Sequence, residues 1–365
     1  MVQLGLVSYP LYLWHWPILS FLRITALTSR TATEVNLAVA AACVLATLTK
    51  LLIEDPIRTR LELGFSRPWR ARSTVAGSVL CLGVVGAAGW ATQQGLVFGE
   101  KQASGASWSG HGAPVFRAGR CFLGDPSKTY RDFSAECMPA PKAAGLDVLV
   151  WGDSYGATFF SSLDSAVRAS GGTLAALASS RCPPVLDVEV PVRVNCRATN
   201  EFVRQYIEQH HVTTVVLAAN WVFSYFQSAT SPSLTAIDHT VDTLFDLGVK
   251  NVVVAGQLPM WRYRLSVALM KSYIMRGLAP PQDSNQWILP DAFTTDAMLS
   301  QHFAGGRAKY VSLLDVACPR RTCPLFVPSQ NADHVLWTFD NGHPTFEATV
   351  RYVEQMGSII VPRRD

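Results

Sequence analysis

Ser154 stands in the stretch VWGDSYG, where an apolar run ends in Gly-Asp-Ser and a helix-like pattern of small residues begins. A residue placed directly after a strand opens the next helix, where backbone N–H groups lack intrahelical partners and the field is electropositive. A serine there can attack a carbonyl while nearby amides, its own and those of Tyr155 and Gly156, receive the developing oxyanion. The plainer use of the same residues is capping, with Asp153 or Ser154 accepting hydrogen bonds from the first helical turn. Two further stretches bear on that choice. WTFDNGHPTFEATV supplies Asp340 and His343 on one loop. A carboxylate three residues before an imidazole can accept Nδ1–H and fix the tautomer, leaving Nε2 to take a serine proton. In the rival pair Asp333-His334 the two residues are adjacent, so in a strand their side chains would point to opposite faces. Asn220 closes the run TTVVLAAN, and a side-chain amide there can donate to an oxyanion.

These residues need a scaffold that brings them to one edge. From Asp147 onward the apolar runs DVLVWGD, TLAALAS, TTVVLAAN, KNVVVAGQLP and AKYVSLLDVA recur, with helix-like stretches such as 198–211 and 234–247 between most of them. Continuous apolar strands alternating with helices predict an α/β fold whose parallel sheet is covered on both faces. Functional residues in such sheets lie beyond the carboxyl ends of the strands, where Ser154 and Asn220 fall. No internal repeat is present. Trp151, Trp221, Tyr225 and Trp337 lie near strand ends and could offer a surface for stacking a sugar ring, although core or rim packing is the commoner use of such aromatics.

Hydrophobic residues make up 49% of the 365 and charged residues only 16%, against about 25% in an ordinary soluble domain. The net charge of +4 is mild and implies no nucleic-acid partner. The deficit of charge is concentrated in the first hundred residues. Apolar segments at 4–24, 35–53 and 75–90 each approach the ~20 residues needed to cross a ~30 Å hydrocarbon core, with Trp and Tyr near their ends. A signal peptide would have one such core. Between the second and third segments lies an arginine-rich stretch, with Arg58, Arg60, Arg67, Arg70 and Arg72. The positive-inside rule makes that loop cytoplasmic and everything after about residue 93 extracytoplasmic. Cys43 and Cys81 sit in the apolar segments. The other six cysteines form sequence-local pairs, Cys121 with Cys137, Cys182 with Cys196 and Cys318 with Cys323. In an oxidising compartment an even set reads as disulfides, although six cysteines allow fifteen connectivities. No CxxC knuckle or other metal-ligand spacing is present.

Gly152-Asp153-Ser154-Tyr155, Asn220 and Asp340-x-x-His343 together resemble the motif blocks of the SGNH (GDSL-like) hydrolase superfamily. The resemblance implies a three-layer α/β fold acting on esters, with Ser154 as nucleophile, His343 as base and Asp340 as the acid that orients it. Asn220 and the Ser154 amide would form the oxyanion hole. The superfamily expects a further oxyanion glycine after the second strand. Here that loop reads SSRCPP, and Gly171 and Gly172 precede the strand at the wrong edge, so an amide near Ser180 would have to substitute.

The N-terminal stretches LGLVSYPLYLWHWPIL and LTKLLIEDPIR resemble the last two spans of the acyltransferase-3 family of membrane O-acyltransferases, in which a further span often leads to an extracytoplasmic SGNH domain. RCFLGDPSKTYRDFSAEC and SRCPPV also resemble those fusions. The implied layout is two family-like spans over 1–56, a cytoplasmic loop over 57–73, a third span over 74–92, a linker and lead-in over 93–146, and the catalytic domain over 147–365. His15 belongs to the Tyr-Leu-Trp-His-Trp-Pro signature, where an interfacial or bundle-facing role suffices. The family's donor-handling motifs lie in earlier spans. An acyl donor, acetyl-CoA by this resemblance, would therefore arrive through further spans of a longer gene product or through a separate membrane subunit, with no cofactor bound to the chain itself. The expected activity is extracytoplasmic O-acylation, as acetyl, of hydroxyls on a cell-envelope glycan. A membrane-tethered carbohydrate esterase and an inactive glycan-binding remnant are the alternatives.

Overall fold

The computed structural model describes residues 2–25, 32–56, 116–140, 147–222, 233–274, 281–328 and 335–360. The apolar segment at 75–90, the arginine-rich loop, most of the linker, Tyr225 and the Asp333-His334 pair lie outside them. The chain divides into an N-terminal unit, Met1–Ser104 together with Met270–Leu278, and a larger α/β unit, Gly105–Leu269 with Ala279–Asp365.

In the N-terminal unit α1 (Val2–Thr25) and α2 (Ala32–Thr49) pack on one another, and α2 runs on through a π-helical turn over Lys50–Glu54. Ala38, Ala42 and Ala46 recur every fourth residue and are the buried positions of α2, since small side chains let helix backbones approach closely. Trp14 Nε1 donates to Thr49 Oγ1 at 2.9 Å, tying the two helices. His15 bonds through Nδ1 to the Leu11 carbonyl at 3.0 Å, one turn earlier in its own helix. Large apolar side chains including Tyr12, Trp16, Phe21, Leu37 and Leu52 are exposed, a surface suited to lipid rather than water. By length and composition one helix among the described residues, Ala32–Glu54, is apolar enough to cross a membrane. Three spans were expected.

The α/β unit is built on a six-stranded, wholly parallel sheet. Its strands are β1 (Phe122–Leu123), β2 (Val148–Gly152), β3 (Leu174–Ser179), β4 (Thr214–Ala218), β5 (Asn251–Ala255) and β6 (Lys309–Val311), in the order β1-β3-β2-β4-β5-β6. Every residue of β2, β3 and β4 is buried, so both faces of the sheet are covered, which is why these runs carry no alternation. Each fully buried Val or Leu in them, such as Leu149, Leu177 and Val216, stabilises the fold by roughly 1.5–3 kcal/mol. The five strands expected from sequence are present. The sixth, β1, comes from residues assigned to the lead-in before 147. A two-residue strand is too short to show a period, but it pairs with β3 and is closed off by the Cys121–Cys137 disulfide.

Helices α3 (Ser154–Thr158) and α4 (Phe160–Ala169) follow β2, and α5 (Cys196–His210) follows β3. Next come α6 (Leu234–Asp246), α7 (Leu265–Ile274), α8 (Pro290–His302), α9 (Leu313–Ala317) and α10 (Phe346–Ile360). The last of these packs on α4, β5 and β6. Cys182–Cys196 and Cys318–Cys323 are also bonded, so the three local pairings are the ones formed. Cys43 is free and exposed.

Candidate active site

The register of the sheet positions the site. Gly152 at the end of β2 lies opposite Ala218 at the end of β4, so Asp153-Ser154 and Ala219-Asn220 leave the sheet side by side. A Cβ at Gly152 would come within 2.0 Å of the Ala218 carbonyl oxygen, so only glycine lets the strands approach this closely. Asp153 then acts as the N-cap of α3, its Oδ1 accepting from the Tyr155 amide at 2.7 Å. Since Asp153 takes the capping role, the Ser154 side chain is left for other use. The Ser154 amide, first in the helix, has no intrahelical partner.

Asp340 and His343 arrive on the loop between the isolated bridge partners Thr338 and Pro344, just before α10. His343 Nε2 lies 2.8 Å from Ser154 Oγ, and its Nδ1 lies 2.7 Å from Asp340 Oδ2. The other carboxylate oxygen of Asp340 accepts the amides of Gly342 and His343 at 2.9 and 2.8 Å, so the acid holds both its loop and its imidazole. Burial pushes the Asp340 carboxyl up, but the His343 hydrogen bond and charge, with those two amides, outweigh it and hold the group below the ordinary range. The imidazole is boxed in by Tyr155, Phe116 and Phe339, with ring centroids 5.0, 5.5 and 5.8 Å away.

Asn220 sits beside this chain. Its backbone amide donates to Asp153 Oδ2 at 3.0 Å, and its Oδ1 accepts from the Val222 amide at 3.2 Å. The acceptor end of the side chain is thus occupied, which leaves the Nδ2 donors for other use, and Asn220 helps to line the cavity. Asp153 is buried and accepts amides from both sides. Burial pushes its carboxyl up to about 6, opposed by the amides of Asn220 and Tyr155 and by the charge of His343.

The cavity measures about 770 Å³, and Ser154, Asn220, His343, Ser180, Arg181, Trp261, Arg262 and Arg264 are among its lining residues. That space suits a ligand of several rings. The arrangement can move a proton from Ser154 to His343 while Asp340 stabilises the imidazolium, and it offers amide donors to an oxyanion.

Some expectations fail here. The Ser180 amide donates to the Leu123 carbonyl at 3.0 Å, because β1 extends the sheet to that point, so it is not a free oxyanion donor. The next residue, Arg181, takes the left-handed conformation (φ 57°) that a glycine would adopt without strain. Its amide has no hydrogen-bond partner among the described residues. Trp221 is buried and its Nε1 donates to the Ala255 carbonyl at 2.7 Å. Trp151 donates to Asn200 Oδ1 at 3.1 Å, and Trp337 is also buried. All three belong to the core under the covering helices and offer no stacking surface. The residues missed were Asp153 as a bridge, Phe116, Asn341 and the three arginines. Arg262 and Arg264 follow Met260-Trp261 after the KNVVVAGQLP run, where the carboxyl-edge rule could have flagged them.

Comparison with known proteins bears on the same residues. A search of curated proteins finds no match. Among solved structures, the periplasmic domain of the lipopolysaccharide acetyltransferase of Salmonella ser. Paratyphi A is similar, with a TM-score of 0.55 and 17% sequence identity over 68% of this chain and 94% of that one. At that identity the likeness speaks to the fold alone. Residues 116–356, which hold the whole sheet, Ser154, Asn220, Asp340 and His343, match the SGNH domain (fused to AT3 domains), and the chain belongs to that family.

Proposed function

We propose that this chain is an extracytoplasmic O-acyltransferase that acetylates hydroxyls of a cell-envelope glycan through an acyl-enzyme on Ser154. The observation that carries the reading is the continuous hydrogen-bonded chain from Asp340 through His343 to Ser154 Oγ, opening on a cavity large enough for sugar residues. Ser154 Oγ bonds to the acyl carbon as its proton passes to His343 Nε2. The oxyanion meets Asn220 Nδ2 and the amides of Ser154 and Arg181. Collapse expels the donor's leaving group with the proton from His343, leaving the acyl ester on Ser154. The acceptor hydroxyl then gives its proton to His343 as its oxygen bonds to the acyl carbon, and the Ser154 Oγ–acyl bond breaks with that proton returned to Oγ. Hydrolysis is the same sequence with water as acceptor, so the nature of the acceptor is what distinguishes a transferase from an esterase.

In this reading the apolar helix Ala32–Glu54 and its neighbours anchor the domain on the outer side of the bilayer. The acetyl group, originating from acetyl-CoA, is handed over by a membrane partner. The test uses the full chain in detergent with 4-nitrophenyl acetate as donor and oligosaccharides as acceptors. Acetylated product and a Ser154 adduct in the mass spectrum are expected, with turnover falling ~10⁴–10⁶-fold in Ser154→Ala. Acceptors that never compete with water would reject transfer, and unchanged turnover in Ser154→Ala would reject catalysis at this residue.

A further inference from the structure

Three arginines, Arg181, Arg262 and Arg264, are among the residues that line the cavity holding Ser154. All three residues are exposed, and among the described residues none has a carboxylate partner. The two carboxylates of the lining are already committed. Asp153 is buried under the amides of Tyr155 and Asn220, and Asp340 is bound to His343.

The main chain carrying the arginines is fixed to the reacting groups. Asn341, between Asp340 and His343, donates through Nδ2 to the carbonyls of Trp261 and Arg262, both at 3.3 Å, and its own carbonyl accepts the Trp261 amide at 2.8 Å. The Arg262 amide in turn donates to the Trp287 carbonyl at 2.8 Å. Arg181 is flanked by Ser180, whose amide is bonded to β1, and by Cys182, which is bridged to Cys196. The backbone that carries the cationic wall is therefore held in a set relation to Ser154. A guanidinium matches carboxylate and phosphate oxygens with paired donors, and like charges gathered in a cleft concentrate the field on an incoming anion.

We propose that Arg181, Arg262 and Arg264 form an anion-binding wall that selects acceptors carrying a carboxylate or phosphate near the hydroxyl to be acylated. This deepens the acyl-transfer reading and rests on it for the meaning of "acceptor". The binding itself is measured without turnover. The full chain carrying Ser154→Ala is titrated with a glucuronate oligosaccharide, a phosphorylated oligosaccharide and a neutral oligosaccharide of equal length. At least one anionic probe is expected to bind ~10-fold or more tightly than the neutral one, the gain of a charge-assisted contact. Raising salt from ~0.1 to ~0.5 M should shrink that advantage, and adding Arg262→Gln with Arg264→Gln should remove most of it. The carboxylate and phosphate probes, ranked against each other, identify the anion. Equal binding of neutral and anionic probes overturns the proposal, as does a preference that survives both the double variant and high salt. If the double variant fails to fold, as judged by circular dichroism, Arg264→Gln alone and the salt series still decide.

A second arm compares 4-nitrophenyl hemisuccinate with 4-nitrophenyl acetate as substrates of the chain with Ser154 intact. A preference for the hemisuccinate with none among the oligosaccharides would place the anion on the acyl group and overturn the acceptor assignment. Failure of acyl transfer itself would show as acceptors that never compete with water for the acyl group on Ser154, a readout separate from the titrations.

Discussion

The buried carboxylate of Asp153 holds the backbone amide of Asn220 at 3.0 Å, across the gap between the ends of β2 and β4. Its other oxygen holds the Tyr155 amide at the start of the helix that presents Ser154. One side chain thus sets the distance between the hydroxyl and the amide donor proposed for its oxyanion. The two groups are separated by dozens of residues in sequence, and that distance is what a transition-state contact demands.

Asp340→Asn keeps the side-chain oxygen that holds the Gly342 and His343 amides, but it replaces the acceptor of the His343 Nδ1 proton with an NH2 group that can only donate. A fall in kcat of about 10⁴ is expected, with KM little changed, because a misplaced tautomer cannot take the serine proton. Steady-state kinetics on a chromogenic ester checks this, with the near-ultraviolet circular dichroism spectrum unchanged.

Asn220→Ala removes the proposed oxyanion donor and leaves the main-chain bond to Asp153 in place. The expected cost is about 10²–10³ in kcat, since the contact is made only as charge develops. A rise in KM with kcat unaltered would show instead that Asn220 binds ground-state substrate.

Gly342→Ala should disturb His343 through a clash rather than a lost bond. A Cβ there would lie 2.2 Å from the Tyr155 hydroxyl oxygen, and the next ring atom is 3.2 Å away. A loss of ~10–100-fold in kcat is expected from the displaced imidazole. Adding Tyr155→Phe removes the clashing oxygen and should restore part of the rate. If the double variant is no better than Gly342→Ala, the close approach is not the cause.

Replacing Cys182 and Cys196 with serine opens a bridge of sequence separation 14. The destabilisation expected is about 3 kcal/mol, read as a lowered unfolding midpoint. Since the loop beginning at Ser180 carries Arg181 into the cavity, acyl transfer should fall more than the loss of folded protein accounts for.

The burial of Asp153 gives stability a pH dependence whose sign follows from its raised pKa. Its folded pKa of about 6 exceeds the ordinary value, so the folded state holds a proton that the unfolded state gives up. The stabilisation is full below about pH 4 and is lost as pH rises through 6, by on the order of 2–3 kcal/mol. Asp153→Asn cannot titrate. The stability of the unsubstituted chain relative to this variant should therefore decline across that window when denaturant unfolding is followed at several pH values. A gap that widens with rising pH would show that the carboxylate is better satisfied by its amides than burial suggests.

The strands, the Gly-Asp-Ser turn that places Ser154 and the loop that joins Asp340 to His343 were legible in the sequence because each depends on local rules. Continuous apolar runs mark strands buried on both faces, and the end of a parallel strand marks the functional edge. An Asp three residues before a His fits one short loop. Pairing the cysteines by proximity was likewise a local inference. What tertiary structure decided was everything that depends on two distant stretches meeting. β1 is two residues long and becomes a strand only because β3 offers it an edge, and that same pairing takes the Ser180 amide out of use. Trp221 looked available at a strand end, yet its indole is spent on the Ala255 carbonyl in the core. Arg262 and Arg264 follow a strand whose carboxyl edge the sequence marks, but their meeting with Arg181 around Ser154 is set by the folded chain alone. Propensity and hydrophobic pattern act over a few residues, so a sequence can state which groups are able to do chemistry. Which of them share a cavity, and which amides remain unpaired within it, follows from how strand register and loop closure bring the distant segments together.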